Sequence, residues 1–221
     1  MEYEKRILCY FDILGFSETV YNKTLDAHKI EKLFSEIKEI IDSNRQDHIA
    51  ISHFSDSFVI SIKHRTTAPT QLRFVIDVLI KLLEYNLIAR GAIVYGEIIH
   101  TVENIFGPAL VKAACIEKNK SKYPRILLDE SLDELPLPTV GDGVITYRSY
   151  FNDFLFVKTD SRDNEFYVDF ISDLKTRDNN TSLTINMENL INTGIQNKEI
   201  SEKYLWLKEK YDNYLKTSQE Q

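Results

Sequence analysis

The order of hydrophobic and polar residues along this chain predicts a regular succession of strands and helices. Ile7 to Phe11 form a continuous apolar run, typical of a strand buried on both faces, and the run ends at Asp12. Between Asp26 and Asn44 the apolar residues recur every three or four positions, which predicts an amphipathic helix. The chain is therefore expected to begin with a strand, a turn at Gly15 and a helix.

Two stretches that follow, 49–54 and 58–62, are rich in β-branched and aromatic residues. The polar segment Ser55-Asp56-Ser57 separates them, so together they predict a β-hairpin with Asp56 at its tip. The next segment, 71–89, predicts a helix that is apolar over more than one face. We expect such a helix to be covered on two sides, by its own sheet and by a partner subunit.

Residues 90–128 complete the predicted core. The expected elements are a strand at 90–95 that ends at Gly96, its hairpin partner at 97–102, a helix that Gly107-Pro108 opens and that runs to about 117, and a strand at 124–128. The order βα–ββ–α–ββ–α–β predicts an α+β fold, a ferredoxin-like palm with helices packed on an antiparallel-rich sheet.

The composition of the chain changes after residue 129. The expected elements there are a rigid connector at 135–138, a hairpin formed by 154–157 and 166–170, and helices at 184–195 and 200–216. The sequence therefore predicts two parts, a core at 1–129 and an extension at 130–221 that packs on the core or on a dimer.

Composition and charge narrow the classes of function. A net charge of −7 over 221 residues argues against broad attraction to nucleic acid or to an anionic membrane surface. No apolar run approaches the roughly 18 residues of a membrane span, so no membrane association is expected. Cys9 and Cys115 lie in apolar segments without metal-ligand spacing, which favours a reduced, cytoplasmic protein.

Two carboxylates are the strongest candidates for chemistry. The predicted topology makes the strand that ends at Asp12 a neighbour of the hairpin that carries Asp56. With a backbone carbonyl such as that of Ile13, they offer hard oxygen ligands suited to Mg²⁺ or Mn²⁺. The turn at 15–17 leads into a helix whose first N–H groups can hold phosphate oxygens. The alternative interpretation is that Asp12 caps the helix and Asp56 merely forms a turn.

Four motifs in this order resemble the catalytic core of the class III nucleotidyl cyclases. They are Phe11-Asp12-Ile13-Leu14-Gly15-Phe16, Phe54-Ser55-Asp56-Ser57, Arg90-Gly91-Ala92-Ile93 followed by Gly96, and the segment from Gly107 to Glu117. The resemblance covers about residues 6–129 and is greatest to the bacterial pyrimidine cyclases of Pycsar anti-phage defence. Tyr123-Pro124-Arg125-Ile126 and the serine before Asp56 indicate that branch.

The resemblance implies a mechanism and a set of site residues. It implies that Asp12, the Ile13 carbonyl and Asp56 bind two divalent ions, Mn²⁺ or Mg²⁺, and that the ribose 3′-hydroxyl attacks the α-phosphorus. The amides near Gly15, Phe16 and Ser17 would hold the β- and γ-phosphates. It also implies a cytoplasmic homodimer with active sites at the subunit interface, whose cyclic product acts on a downstream effector.

The chain departs from the purine cyclases at four positions. Val111 and Cys115 stand where those enzymes carry the Asn and Arg that stabilise the transition state. Ser52 and Asn104 stand at the base-reading positions, where short neutral groups suit a pyrimidine, with UTP favoured and CTP possible. The alternatives are an inactive cyclase fold that binds nucleotide, and a palm-type nucleotidyltransferase with linear or oligomeric products.

Basic residues add further candidates. Arg90, at the start of a predicted central strand, is expected to reach a phosphate or an interface carboxylate, or else to form a structural ion pair. A basic run follows the third helix, and most such runs are solvated faces. Within it, Arg125 or Lys122 is the residue that we expect to contact the triphosphate.

Overall fold

The computed structural model describes residues 2–43, 49–63, 72–135, 151–152 and 156–219. Its strands and helices are β1 (Glu4–Leu14), α1 (Phe16–Tyr21), α2 (Ala27–Ser43), β2 (Ile49–Phe54), β3 (Ser57–Lys63), α3 (Phe74–Glu84), β4 (Ile88–His100), β5 (Ile105–Phe106), α4 (Pro108–Asn119), β6 (Ile126–Leu128), β7 (Val157–Thr159), β8 (Phe166–Val168), α5 (Asn180–Gln196) and α6 (Ser201–Gln219). None of the helices described is both long enough and apolar enough to cross a bilayer.

A mixed sheet forms the centre of the fold. Its strands lie in the order β2-β3-β1-β4-β6-β8-β7, and β5 pairs with β4. Each pairing is antiparallel except that of β4 with β6. The first four strands have the order of a ferredoxin-like palm, with β1 between β3 and β4, so the predicted α+β class is confirmed.

The strand at residues 88–100 differs from the prediction. A break at Gly96 and a hairpin partner at 97–102 were expected, but β4 continues through Gly96, which pairs with Arg6 of β1. A Cβ atom at Gly96 would lie 3.4 Å from the Cβ of Ala109. The glycine therefore allows close packing of α4 on the sheet, and β5 is the hairpin partner instead.

Helix α3 ends at Glu84, earlier than predicted, and its wide apolar surface is covered by the same chain. It packs against α2 on one side and α5 on the other. The side-chain nitrogen Nδ2 of Asn186 donates to the carbonyl oxygens of Leu83 and Glu84, each at 3.2 Å. The expectation that this helix indicates a partner subunit is therefore wrong, since a C-terminal helix fills that place.

The C-terminal region extends the sheet and encloses a buried ion cluster. The predicted hairpin is present as β7 and β8, and β8 pairs with β6. Arg125 lies buried beside the carboxylates of Asp160 and Asp163, and the indole nitrogen of Trp206 donates to Asp160. Residues 136–138 and 154–155 of the predicted connector and hairpin lie outside the described residues. The division of the chain at residue 129 stays a prediction.

Removal of the Asp160 carboxylate should strongly destabilise the protein. We expect Asp160→Ala to cost about 3–5 kcal/mol, because a buried arginine would lose a partner. A loss of that size corresponds to a fall in melting temperature of roughly 10 °C for a chain of this length. Differential scanning calorimetry measures the change.

The matched control is Asp212→Ala on α6, which removes one member of the exposed Lys208–Asp212 pair. This variant should melt close to the wild type, because exposed ion pairs contribute little to stability. Equal melting temperatures for the two variants would show that the buried cluster does not hold the C-terminal region in place.

Candidate active site

Three side chains form a row across the ends of three neighbouring strands. In the register of the sheet, Asp12 of β1 lies opposite Ser57 of β3 on one side and opposite Arg90 of β4 on the other. The close approach of β1 and β4 depends on Gly91, since a Cβ there would lie 2.0 Å from the Tyr10 carbonyl oxygen. Backbone pairing alone therefore places a carboxylate between a hydroxyl and a guanidinium.

The carboxylate of Asp12 is held on one side only. The Ser57 hydroxyl donates to Asp12 Oδ1 at 2.9 Å, and the Tyr10 hydroxyl donates to Ser57 Oγ at 3.3 Å. Among the described residues, no hydrogen bond reaches the second oxygen, Oδ2. One oxygen is thus oriented by the protein, and the other can accept a ligand.

Asp56 is brought to Asp12 by the hairpin turn between β2 and β3. Ser55 adopts a left-handed conformation with φ of 55°, and the amide of Ile13 donates to the Asp56 carbonyl oxygen at 3.1 Å. This bond fastens the hairpin tip to the end of β1. The structure therefore brings together Asp12, Ile13 and Asp56, the three residues expected to hold metal.

Burial raises the pKa of Asp12 above its ordinary value, and the charge of Asp56 raises it further. The Ser57 hydrogen bond and the charges of Arg90 and Lys203 act in the opposite direction but do not outweigh burial. Two carboxylates close enough for their charges to interact, one of them half-buried, favour a bound cation. The electrostatics thus fit a divalent ion.

The ligands available here also fit Mg²⁺ or Mn²⁺ better than a metal whose ligands all come from protein side chains. Within the described segments, no group of three or more His, Cys, Asp or Glu side chains could hold an ion. Mg²⁺ commonly takes one or two carboxylates and completes its shell with water and substrate phosphate. Asp12 and Asp56 supply such a pair of hard oxygen ligands.

The turn after β1 has the predicted form. Gly15 has φ of 74°, a left-handed conformation that favours glycine, and α1 begins at the next residue. Phe16 is buried against Phe34, with ring centroids 5.6 Å apart, while Ser17 is exposed. The role of the Gly15, Phe16 and Ser17 amides in binding phosphate stays a prediction.

Arg90 forms an ion pair within its own chain. Its Nε atom lies 2.6 Å from Oε1 of Glu117 on α4, but the pair is poorly aligned. Both atoms are buried and lack a hydrogen-bond partner among the described residues. Burial raises the pKa of Glu117, and the charge of Asp12 raises it further, whereas Arg90 lowers it. Arg90 therefore lies between two acids.

Lys203 was not among the residues that the sequence predicted for the site. It lies in the first turn of α6, and its pKa is lowered by burial and by the charge of Arg90, whereas Glu117 and Asp12 oppose that change. No described residue forms an ion pair with its side chain. No spacing in the sequence reveals that a lysine so far along the chain faces Asp12.

A cleft of about 320 Å³ opens beside Arg90. It is lined by Arg90, Lys118, Lys122, Tyr123, Glu199, Ile200, Glu202 and Lys203. Four of these eight side chains are basic in a chain of net charge −7. Lys122 lines this cleft, and its contact with a triphosphate stays a prediction. The same expectation for Arg125 is wrong, because Arg125 is buried in the ion cluster with Asp160.

The two residues expected to read the base lie in different surroundings. Ser52 of β2 is hydrogen-bonded to Nε2 of His100 at 2.9 Å and lines a largely apolar cleft of about 410 Å³. Asn104 lies exposed in the turn before β5, where its backbone bonds to Thr101, and it does not line that cleft. A single chain thus does not bring Ser52 and Asn104 into one cavity.

Val111 and Cys115 both lie exposed on α4. Neither side chain can stabilise a developing negative charge as an arginine does. Cationic groups on this chain are found instead in the cleft beside Arg90.

Comparisons with known proteins identify the fold. No protein-family profile and no curated protein matches the chain. The dimeric guanylyl cyclase domain of the RhoGC fusion protein from the aquatic fungus Blastocladiella emersonii superposes with a TM-score of 0.50 at 17% identity, over 76% of this chain and 94% of that domain. The chain has the fold of a class III cyclase catalytic domain.

Two further solved structures are similar. A bacterial light-regulated adenylyl cyclase gives a TM-score of 0.47 at 16% identity, over 63% of this chain and 47% of that protein, so the chain spans about half its length. The guanylate cyclase domain of RhGC from Catenaria anguillulae, in complex with GTP, gives 0.45 at 14% identity, over 76% of this chain and 98% of that domain.

Neutralisation of Asp12 should stabilise the metal-free protein. We expect Asp12→Asn to raise the melting temperature in chelator at neutral pH by ~2–4 °C, the shift that about 1 kcal/mol produces at this length. The amide keeps the Ser57 hydrogen bond and removes a half-buried charge that Asp56 repels. Calorimetry with EDTA measures the shift.

The gain should shrink as the pH falls, because protonation of the raised-pKa carboxyl group removes the same charge from the wild type. Asp133→Asn, an exposed change elsewhere, should leave the melting temperature unaltered. A loss of stability in Asp12→Asn would contradict the electrostatic account.

Proposed function

We propose that this protein is a metal-dependent nucleotidyl cyclase. It converts a pyrimidine nucleoside triphosphate, UTP by preference and CTP to a lesser degree, into the 3′,5′-cyclic monophosphate and diphosphate. One observation carries the proposal: Asp12 and Asp56 converge at one end of β1, and the basic cleft that contains Arg90 opens beside them.

The reaction is an internal transfer of the α-phosphoryl group. The ribose 3′-oxygen forms a bond to the α-phosphorus, the bond from that phosphorus to the bridging oxygen breaks, diphosphate leaves, and the hydroxyl proton passes to water. Two ions of Mg²⁺ or Mn²⁺, when held by Asp12, Asp56 and the Ile13 carbonyl, supply acidification of that hydroxyl and neutralise triphosphate charge.

The basic cleft supplies the cations that the triphosphate needs. Arg90 has Glu117 as its partner among the described residues, and that pair is poorly aligned, so its guanidinium can turn to phosphate. Lys203 approaches from α6 and forms no ion pair with any described residue. Lysine and arginine here substitute for the donors absent at Val111 and Cys115. The amides of Gly15, Phe16 and Ser17 hold the remaining phosphate oxygens.

The active unit is a homodimer in which one protomer binds the metals and its partner contributes the base-reading side around Asn104. Ser52 and Asn104 lie apart within one chain, which suits a base held between two copies. Large apolar side chains lie exposed near the Ser52 cleft, among them Phe54, Phe106 and Val111. A second copy would cover them.

The resemblance to the Pycsar branch supports a role in anti-phage defence. In that role the cyclic pyrimidine nucleotide is a second messenger that acts on a separate effector, and the cyclase itself binds neither nucleic acid nor membrane. Cys9 and Cys115 are both free, which agrees with a cytoplasmic location.

A turnover assay with the four ribonucleoside triphosphates tests the function. Purified protein with Mn²⁺ should release a cyclic monophosphate and diphosphate, with UTP the best substrate, as identified by mass spectrometry. Linear or oligomeric products would indicate a nucleotidyltransferase instead. No consumption of any triphosphate, with a nucleotide-induced rise in melting temperature, would indicate a binding module.

Asp56→Ala should lower turnover at least about 100-fold, because one of the two metal-binding carboxylates is lost. The backbone bond from Ile13 to residue 56 survives the change, so the melting temperature should stay near that of the wild type. Asp212→Ala is the matched control and should keep full activity. Full turnover by Asp56→Ala would remove Asp56 from the metal site.

Lys203→Ala should weaken binding of the triphosphate. Loss of a charge-assisted contact corresponds to a roughly 10–100-fold rise in KM. Lys203→Arg should restore most of it, and Lys208→Ala, an exposed lysine on the same helix, should change nothing. An unaltered KM in Lys203→Ala would exclude the lysine from the phosphate site.

A further inference from the structure

Four polar side chains form a buried chain of hydrogen bonds that ends at Ser52. Arg6 Nη1 donates to Ser61 Oγ at 3.2 Å, Ser61 Oγ lies 2.8 Å from His100 Nδ1, and His100 Nε2 lies 2.9 Å from Ser52 Oγ. Ser61 is fully buried, and His100 and Arg6 are only 5% and 8% exposed. At its other end Arg6 also donates from Nε and Nη2 to the exposed carboxylate of Glu4. The partly exposed Ser52 is therefore the end of the network that faces a cleft.

The direction of each bond follows from the chemistry of the groups. A guanidinium only donates, so the Ser61 oxygen accepts from Arg6. The Ser61 hydroxyl then has its proton to give, and Nδ1 of His100 is the further partner that the described residues offer it. Nδ1 must therefore accept, and in a neutral imidazole the proton then resides on Nε2.

The opposite direction would leave a buried group unsatisfied. If Nδ1 carried the proton, Ser61 would accept two hydrogen bonds, and its own hydroxyl proton would have no acceptor among the described residues. A fully buried hydroxyl without an acceptor is unfavourable. Burial and the charge of Arg6 lower the pKa of His100 to about 4, so the ring is neutral at pH 7.

With the hydrogen bonds in this direction, the hydroxyl proton of Ser52 remains available to a ligand. Ser52 Oγ accepts from Nε2–H of His100, and its O–H points to no other described side chain. Ser52 lines the cleft that also contains Tyr10 and Ser57, the residues that lead to Asp12. The cleft is mostly apolar, so a fixed donor there has a strong effect on which polar edge can enter.

We propose that the Arg6–Ser61–His100 relay fixes Ser52 as a hydrogen-bond donor to the base and thereby selects uracil over cytosine. The inference rests on the proposed cyclase function. At the 4-position uracil carries a carbonyl oxygen that accepts, whereas cytosine carries an amino group that donates. A cytosine there would leave the Ser52 proton without an acceptor. His100 and Ser61 are positioning residues, since they act through Ser52.

The kinetic test compares the kcat/KM ratio for UTP over CTP in the wild type and in Ser61→Ala. The wild type should favour UTP about tenfold or more, and Ser61→Ala should bring the ratio close to one, because either tautomer of His100 then becomes acceptable. Ser61→Thr, which keeps the hydroxyl, should restore the preference. Ser121→Ala, an equally buried serine bonded to the Arg125 carbonyl, should leave the ratio unaltered.

A spectroscopic test shows which nitrogen of His100 carries the proton and does not depend on enzymatic turnover. In protein labelled with ¹⁵N-histidine, the His100 signals, identified by their loss in His100→Gln, should show a protonated Nε2 and a bare Nδ1. A proton on Nδ1 would overturn the relay, even if Ser61→Ala fails to fold.

The outcomes separate the inference from the proposed function. A wild type that cyclises UTP, with a ratio unchanged in Ser61→Ala, overturns the base-selecting role and leaves the cyclase standing. A preference for CTP overturns it as well. Failure to turn over any triphosphate overturns the proposed function, and the base-selecting role with it, whatever tautomer the spectrum shows.

Discussion

The antiparallel pairing of β1 with both of its neighbours is the constraint on which the site depends. Because β1 lies between β3 and β4, the register places Ser57, Asp12 and Arg90 side by side. A shift of one residue in either pairing would turn Asp12 towards the opposite face of the sheet. Gly91 allows the close approach of β1 and β4, so a residue without a side chain helps fix where the charged ones lie.

The C-terminal region contributes to the site as well as to the fold. Its helix α5 covers α3, and the buried cluster around Arg125 ties the β7–β8 hairpin and α6 to the sheet. These contacts fix the start of α6, and with it Lys203, near Arg90. The contacts that stabilise the C-terminal region therefore also determine where the charge of Lys203 lies in the site.

Local pattern predicted most of the core, and long-range contact explains what it missed. The β-branched and aromatic residues on either side of the polar segment 55–57 predicted the β2–β3 hairpin. The Asp12 and Asp56 motifs lay at the ends of elements that adjacent pairing brings together. The break expected at Gly96 was wrong, because a glycine can serve helix packing as well as a turn. Similarly, the apolar surface of a helix does not show whether a partner subunit or the same chain buries it.

Neither Lys203 nor the burial of Arg125 could be read from spacing. Lys203 lies in an ordinary amphipathic helix, and Arg125 stands among lysines that are mostly exposed. Only the three-dimensional path of the chain shows which basic residue faces the cleft and which is buried. The same holds for His100, whose partners lie 39 and 48 residues away along the chain.

The position of Lys203 has a consequence for synthesis of the protein. Asp12 and Asp56 lie within the first 56 residues, whereas the lysine that lies near Asp12 belongs to α6, which begins at Ser201. A nascent chain that has emerged only as far as α5 holds the complete acidic pair but lacks this cation. The two carboxylates and Lys203 can therefore come together only after the ribosome has released the last helix described. A shorter translation product cannot form this set of charges.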